Sequence, residues 1–547
     1  MNVMKDIIFR IGLALLLVVS FTGCNDFLDT TPTDRISDEI VWSNKENVTL
    51  YVNGFYPYID RYGNFGSSQF NGNLTEGLTE TLKYGSYVPG SKAGDANLYV
   101  FDPEGISPSG NLLDTWAETY ERIRRVNEFL VGLGKYSELD EETNKLFEGQ
   151  ARFFRAFLYF QLAKRHGGVI LYTDMDLQKD KPRSSEEETW DLIENDLDFA
   201  ASVLPKQWDQ SNQGRVTKGA AFAFKSRAML YAKRWEAAKN AADSVFNLGV
   251  YSLTERYEDA WKGGNAESIL EYNYLITGPN HTFDKDYATF GEIENQGGSG
   301  TPTQEMVEAY EKSDGTKLDW SPWHVEGGTT TPPPYNELEP RFHATVIYNG
   351  SVWQGKVMEN SVDGTNGRFM GYREDTYPKG RTTTGYYLKK FRDEAHTDLV
   401  TYNSTQPWVE LRLAEVYLNR AEANYNLGNL GEALDDLNEI RKRVGLPAKE
   451  GLSEEEVFEA IRHERKIELA YEGHLYWDMR RWRLAHIEYN DYRVHGLKIS
   501  PAEGGYLYEY VDCDMQDRKF LEKTYVLPVP YSELANNSAI EQYDEWK

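Results

Sequence analysis

Cysteine is almost absent from this chain of 547 residues, which contains only Cys24 and Cys513. Two thiols cannot supply a disulfide framework or a cysteine-rich zinc site. A single disulfide between these two cysteines is the alternative that remains. Basic residues are also scarce, since 59 Lys and Arg stand against 87 Asp and Glu and leave a formal net charge of −28. Because so acidic a surface repels phosphate backbones, nucleic-acid binding by bulk electrostatics is excluded.

Sequence motifs of catalysis are missing as well. The chain has no His-Glu-x-x-His, no Gly-x-Ser-x-Gly, no P-loop and no EF-hand spacing, and its nine histidines are scattered. We therefore expect neither an enzyme nor a bound metal or cofactor. A glycoside hydrolase stays an alternative, because it needs only two carboxylates in a cleft.

The N-terminus has the features of an export signal. Lys5 and Arg10 flank the start of an apolar stretch at residues 11–19, which is too short for a membrane span of about 20 residues. Phe21-Thr22-Gly23-Cys24 follows and resembles the bacterial lipoprotein box. We expect residues 1–23 to be removed and Cys24 to carry a lipid anchor, with a plain secretory signal as the alternative.

Helical periodicity dominates much of the remaining chain. Apolar residues recur at spacings of three and four over residues 114–133, 147–163 and 189–204, and Gly167-Gly168 predicts the end of the second of these helices. Residues 218–248 and 408–444 share a spacing of small residues that resembles a degenerate tetratricopeptide helix pair. The two units are too far apart for a tandem array with a repeat of about 34 residues.

Two long segments lack this periodicity and are rich in Gly, Pro, Thr and aromatic residues. They cover residues 62–110 and 251–406, and the second contains strand-like runs at 344–348 and 385–389. We predict a mainly α single domain over residues 24–547. Its helical scaffold would comprise about 24–61, 111–250 and 407–485, and the loop-rich segments would carry the ligand face.

A specific resemblance appears near the C-terminus, where residues 462–482 read RHERKIELAYEGHLYWDMRRW. Other segments occur in matching order: CNDFLD from Cys24, PRFHATVIY at 340–348, GYYLKKF at 385–391 and YVLPVP at 525–530. Together they closely resemble the SusD/RagB family of nutrient-binding outer-membrane lipoproteins of the Bacteroidetes. The tail at 536–542 departs from that pattern.

The resemblance implies a SusD-like fold and a glycan-binding lipoprotein on the outer membrane, facing the cell exterior. Such a protein captures oligosaccharide without chemistry and delivers it to a SusC-like TonB-dependent transporter. A RagB-like capture of peptides is the alternative within the family. The 462–482 segment itself places Glu464, Glu468 and Glu472 at i, i+4 beside Arg465 and Lys466, which predicts an ion-paired structural helix.

Ligand contacts are expected in the loop-rich segments, because aromatic rings stack on the apolar faces of sugars while polar side chains bind the hydroxyls. Trp320 and Trp323 lie three residues apart around Pro322, so this loop could present two rings. The family resemblance implies that the early loop forms the other side of the site, with Tyr84 and Tyr87 as platforms and Glu80 and Lys83 as hydroxyl partners. Trp353 is a weaker candidate.

Overall fold

The computed structural model describes residues 41–63, 65, 68–70, 74–85, 100, 103–176, 180–371 and 379–547. The expected export signal, Cys24 and Tyr87 lie outside these ranges. The described chain is mainly helical with short strands, as predicted. None of the helices in these ranges has the length and apolar character needed to cross a membrane.

The helices fall into three groups along the chain. The first group comprises α1 (Lys45–Asn53), α2 (Tyr58–Arg61), α3 (Trp116–Tyr136), α4 (Glu141–His166), α5 (Glu186–Val203), α6 (Lys218–Tyr231) and α7 (Trp235–Leu248). The described part of the second loop-rich segment contains the short helices α8 (Phe283–Asp286), α9 (Gln304–Ala309) and α10 (Pro340–Thr345). The last group comprises α11 (Leu413–Asn426), α12 (Leu430–Arg443), α13 (Glu454–Glu468), α14 (Leu475–Arg481), α15 (Ala485–Glu488) and α16 (Tyr531–Asn536).

Helix α4 shows how local sequence sets these elements. Asp140 caps its N-terminus by accepting a hydrogen bond from the backbone N–H of Thr143. Its apolar residues point in several directions and are buried, Phe153 and Phe157 being at most 1% exposed. The helix ends at Gly167, whose φ of 69° lies in the region that favours glycine, so the predicted stop at this position is confirmed.

The two predicted helix pairs are present and pack directly on each other. α6 and α7 have 14 residues each, as do α11 and α12, with short connections in both pairs. α7 contacts α11, so the pairs are neighbours in space although a long insertion separates them in sequence. Ser226 accepts a hydrogen bond from Asn419 Nδ2 at 3.1 Å across the stack. The tetratricopeptide relation itself stays a resemblance.

The strands form two-stranded antiparallel sheets in the described part of the chain. The pairs are β1 (Leu82–Tyr84) with β3 (Gly300–Pro302), β2 (Ser268–Tyr272) with β8 (Trp408–Arg412), β4 (Val346–Ile347) with β7 (Tyr387–Leu388), β5 (Val352–Trp353) with β6 (Lys356–Val357), and β9 (His495–Ala502) with β10 (Gly505–Asp512). β4 and β7 confirm the two strand-like runs. Since β2 and β8 lie near the two ends of the insertion, their pairing closes its base.

A buried ion network joins the insertion to the last helices. Arg412, at the end of β8, contacts Glu267 at 2.9 Å, Glu468 at 2.6 Å and Glu472 at 2.7 Å. These side chains are at most 6% exposed. Lys390 from the insertion also contacts Glu472, at 2.6 Å. Buried carboxylates and guanidinium groups need such complete pairing, because each is costly to take out of water alone.

A second arm of the network reaches the segment around α10. Arg341 contacts Glu339 at 2.6 Å and also pairs with Glu464 of α13. Arg441 of α12 contacts Glu311 at 2.9 Å and Glu464 at 3.3 Å. The prediction that residues 462–482 form a structural ion-paired element is therefore confirmed.

Glu468 gives a direct test of this network. Burial works to raise its pKa, but Arg443, Arg412 and Arg341 outweigh burial and hold the pKa below its usual range. A depressed pKa contributes stability above the unfolded pKa of about 4.3 that is lost as the pH falls. We expect Glu468→Gln to lower the free energy of unfolding by about 3–5 kcal/mol, since it leaves buried arginines with one partner too few. Denaturant titration at neutral pH measures the change.

The matched control is Glu439→Gln, which removes an exposed carboxylate paired with Lys442 on α12. That variant is expected to stay within about 0.5 kcal/mol of the parent protein. Equal stability of the two variants would contradict the assigned role of the network.

Candidate functional site

The predicted tryptophan pair lies inside the protein. Trp320 and Trp323 belong to a short 3₁₀ turn and its N-cap and are only 5% and 6% exposed. Their ring centroids are 5.5 Å apart, and Trp323 Nε1 donates to the carbonyl of Thr331 at 2.9 Å. Tyr335 packs beside Trp320. The prediction that this loop presents two open rings is therefore wrong, because the indoles gain more contact by packing against each other and their neighbours.

Two contacts predicted in the early loop are also buried. Tyr84 is inaccessible to solvent, and its hydroxyl donates to the carbonyl of Leu74 at 2.6 Å. Lys83 is equally buried, with its Nζ 3.5 Å from Asp514, and burial lowers its pKa to about 8. Both residues belong to β1, which is enclosed by the elements around it. The prediction that they form a platform and a hydroxyl partner is wrong, whereas Tyr87 lies outside the described residues.

The remaining predicted contacts are Glu80 and Trp353. Glu80 is partly exposed and pairs with Lys466 of α13. Burial works to raise the pKa of Glu80, but the Lys466 ammonium outweighs burial and lowers it. Trp353 is 2% exposed, donates from Nε1 to Glu292 at 3.0 Å and lies under the Arg392 guanidinium. Trp353 is therefore a core residue and not the platform that was predicted, and ligand contact by Glu80 stays a prediction.

A different group of side chains reaches solvent beside the tryptophan loop. We call it the His–Tyr cluster and define it by six residues: His324, Tyr510, His495, Glu305, Glu308 and Asp512. Three structural elements supply them. Glu305 and Glu308 project from α9, His324 follows Trp323 directly, and the other three come from the β9–β10 hairpin.

The cluster is built around the ring of Tyr510. The His324 ring lies 4.2 Å from it, and the His495 ring lies 4.4 Å from it at an interplanar angle of 15°. Each imidazole meets a carboxylate of α9, with His324 Nε2 2.6 Å from Glu308 and His495 Nδ1 2.6 Å from Glu305. The aromatic groups are thereby held in one fixed arrangement.

The cluster is open enough to meet a ligand. The side chains of His324, Glu308 and Asp512 are 34%, 26% and 51% exposed, respectively. Burial lowers the pKa of His495, but hydrogen bonding to Glu305 and the Asp512 charge outweigh burial, so that the net shift is upward. Burial raises the pKa of Glu308. The site thus combines ring edges, carboxylate acceptors and imidazole groups, which can bind several hydroxyls of one polar ligand.

This cluster is not among the predicted contacts, because the hairpin that carries Tyr510, His495 and Asp512 was not recognised from its sequence. Tyr506, Tyr508 and Tyr510 alternate directly after Gly504-Gly505, and such alternation beyond a turn is typical of a β-hairpin with one aromatic face. The hairpin has full register from His495 to Asp512. No local signal connects these tyrosines with α9 or with the tryptophan loop, which lie far away in sequence.

In the described ranges, no group of three or more His, Cys, Asp or Glu side chains is arranged to hold a metal ion. His495 and Asp512 approach each other at 3.3 Å, but both are committed to the cluster by hydrogen bonds and charge. The arrangement is suited to recognition through hydrogen bonds and ring contacts.

Two family models match the chain. Residues 266–546, just over half of its length, match the model described as the SusD family. Residues 26–230 match a model described as starch-binding and associating with the outer membrane. The protein class defined by this fold is a mainly helical protein with loop-rich insertions. The chain belongs to the SusD family, as its motifs predicted.

Known relatives agree with this assignment. A SusD-like protein of Formosa agariphila is 24% identical over 491 residues, covering 85% of this chain and 88% of the relative. The solved structure of a SusD-like protein from Bacteroides fragilis is 28% identical, with a TM-score of 0.76, and the match covers 94% of this chain and 99% of that one. A SusD-like carbohydrate binding protein from the same organism has a TM-score of 0.73 at 22% identity, covering 92% and 100%.

Burial of the tryptophans changes what their removal should do. We expect Trp323→Ala to lower the free energy of unfolding by about 3–5 kcal/mol, because it leaves a cavity in a packed region. His324→Ala, one residue away and partly exposed, should cost less than about 1 kcal/mol. Denaturant titrations of both variants measure the difference, and a Trp323→Ala protein as stable as His324→Ala would show that the indole is not core.

Proposed function

We propose that this protein is a cell-surface glycan-binding lipoprotein that captures oligosaccharide and delivers it to a SusC-like TonB-dependent transporter without catalysis. The observation that carries the proposal is the match of residues 26–230 to a family described as starch-binding and associating with the outer membrane. The proposal is supported by the similar solved structure from Bacteroides fragilis that is described as a SusD-like carbohydrate binding protein.

We place the glycan contact at the His–Tyr cluster. Sugar hydroxyls need paired donors and acceptors, and the carboxylates of Glu308 and Asp512 offer acceptors at the surface. The partly exposed rings of His324 and Tyr510 offer apolar surface for the C–H groups of a pyranose. Trp320 and Trp323 support the loop that carries His324, so their contribution to binding is indirect.

Delivery to a transporter requires the protein to stay at the outer membrane. The proposed anchor is a lipid on Cys24, with the binding face directed outward. A lipid chain gains about 0.8 kcal/mol for each buried CH₂ group, so no protein span is required. The SusC-like partner follows from family resemblance and is part of the proposal.

Binding assays on cluster variants test the proposed site. Calorimetric titration of the protein against a panel of polysaccharides should identify one glycan class that binds. Tyr510→Ala and His324→Ala should each weaken that binding by about tenfold or more, because they remove ring contacts at the centre of the cluster. Tyr531→Ala is the matched control, since Tyr531 is 65% exposed and lies on α16 outside the cluster.

Three outcomes would contradict parts of the proposal. Unchanged glycan affinity in both cluster variants would remove the site while leaving the binding function. Binding to peptides alone would assign the protein to RagB-like capture. Shortened glycan products, separated by chromatography after incubation, would indicate a hydrolase.

The anchor is tested by removing one thiol. Cys24→Ala should move the protein from the membrane fraction to the soluble fraction of fractionated cells, because the only proposed attachment is lost. Cys513→Ala is the control, since that thiol is buried and donates to the Thr383 carbonyl at 3.0 Å. Membrane retention of Cys24→Ala would contradict lipidation at this residue.

A further inference from the structure

A small polar cavity lies where α4, α6 and α14 meet. Its volume is ≈ 50 Å³, which is room for about three or four water molecules. The wall includes Lys164 from α4, Tyr231 at the end of α6 and His474 at the start of α14. All three side chains are partly exposed, so the cavity opens to solvent.

The polar ends of these three side chains meet no polar protein group in the described ranges. Lys164 Nζ lies over two aromatic rings, 4.8 Å from the ring centroid of Trp477 and 5.4 Å from that of Phe160. The Tyr231 hydroxyl and the His474 imidazole likewise lack a hydrogen bond to the described residues. Polar groups in such partly enclosed positions normally form hydrogen bonds. The cavity therefore offers a bound ligand three hydrogen-bond donors that have no partner among the described residues.

The carboxylates of the cavity wall are already committed to other cations. Glu410 pairs with Arg227 at 2.5 Å and accepts from Trp408 Nε1 at 2.8 Å. Glu472 is held by Arg412 in the buried ion network. Neither carboxylate forms an ion pair with Lys164, whose ammonium therefore lacks a counter-ion from the described chain.

Electrostatics around Lys164 favour an added negative charge. Burial lowers the pKa of its amine well below the usual value, and Arg165 and Arg227 lower it further, against the opposing charge of Glu410. An anion next to Nζ would offset these effects and favour the ammonium form. Ligand binding at this place would thus be coupled to protonation of Lys164.

We propose that this cavity binds a carboxylate group, with Lys164 as the ion-pair partner and Tyr231 and His474 as hydrogen-bond donors. The cavity has room for a carboxylate group but not for a whole pyranose ring. The carboxylate therefore belongs either to a small free acid or to a sugar acid whose ring remains outside the cavity. This site is separate from the His–Tyr cluster, and the proposal does not depend on glycan binding there.

Calorimetric titration of the purified protein with sodium acetate, sodium glucuronate and uncharged methyl glucoside tests the proposal at constant ionic strength. The carboxylates should bind saturably and methyl glucoside should not. Binding of acetate alone would indicate a free small carboxylate, and binding of glucuronate as well would admit one carried by a sugar. Lys164→Met should weaken carboxylate binding at least tenfold, whereas Lys145→Met, an exposed lysine on the same helix, should leave it unchanged.

A second measurement uses the parent protein and does not depend on how well a variant folds. Lysines are acylated with acetic anhydride and the labelling is measured by mass spectrometry. Saturating carboxylate should reduce labelling of Lys164 at least twofold and leave labelling of Lys145 unchanged. The proposal is overturned if carboxylates do not bind or protect Lys164, if Lys164→Met binds them as well as the parent, or if methyl glucoside binds equally.

Discussion

An arginine buried among carboxylates holds the parts of this molecule in place. Arg412 ends β8, where the insertion returns to the helices. It contacts Glu267 beside β2, Glu468 at the end of α13 and Glu472 just after that helix. A buried guanidinium is tolerated only when its donors are paired in good geometry. Any shift of the insertion against α13 would break several of these contacts together, so the network specifies one arrangement of otherwise unrelated segments.

This constraint explains how a loop-rich segment can carry a defined surface. Lys390 and Arg341, both within the insertion, reach Glu472 and Glu464 and tie their loops to the last helices. In the helical scaffold, α7 packs on α11 and joins the helices before the insertion to those after it. Loops held at several points by buried contacts can present side chains as precisely placed as those on helices, which is what a binding face requires.

The aromatic residues show which features of the site could not be predicted from the sequence. Trp320 and Trp323 are spaced to form a surface platform, yet both rings are buried and the partly exposed neighbour is His324. Local spacing describes which side chains are near each other in a loop, whereas exposure depends on what packs over the loop. Here Tyr335 and the β9–β10 hairpin pack against the turn, and the hairpin follows it by more than 170 residues along the chain.

The sequence by itself determined the family, the main helices, the stop at Gly167, the two helix pairs and the high charge density of residues 462–482, because motifs, periodicity and caps act within a few turns of chain. It did not identify the partners of Glu464, Glu468 and Glu472, which lie in distant segments. Only the tertiary structure decided that α7 packs on α11, that Tyr84 and Trp353 are core residues, and that Glu308, His324 and Tyr510 form one cluster. Those outcomes depend on burial and charge pairing between distant segments, for which a single sequence carries no local signal.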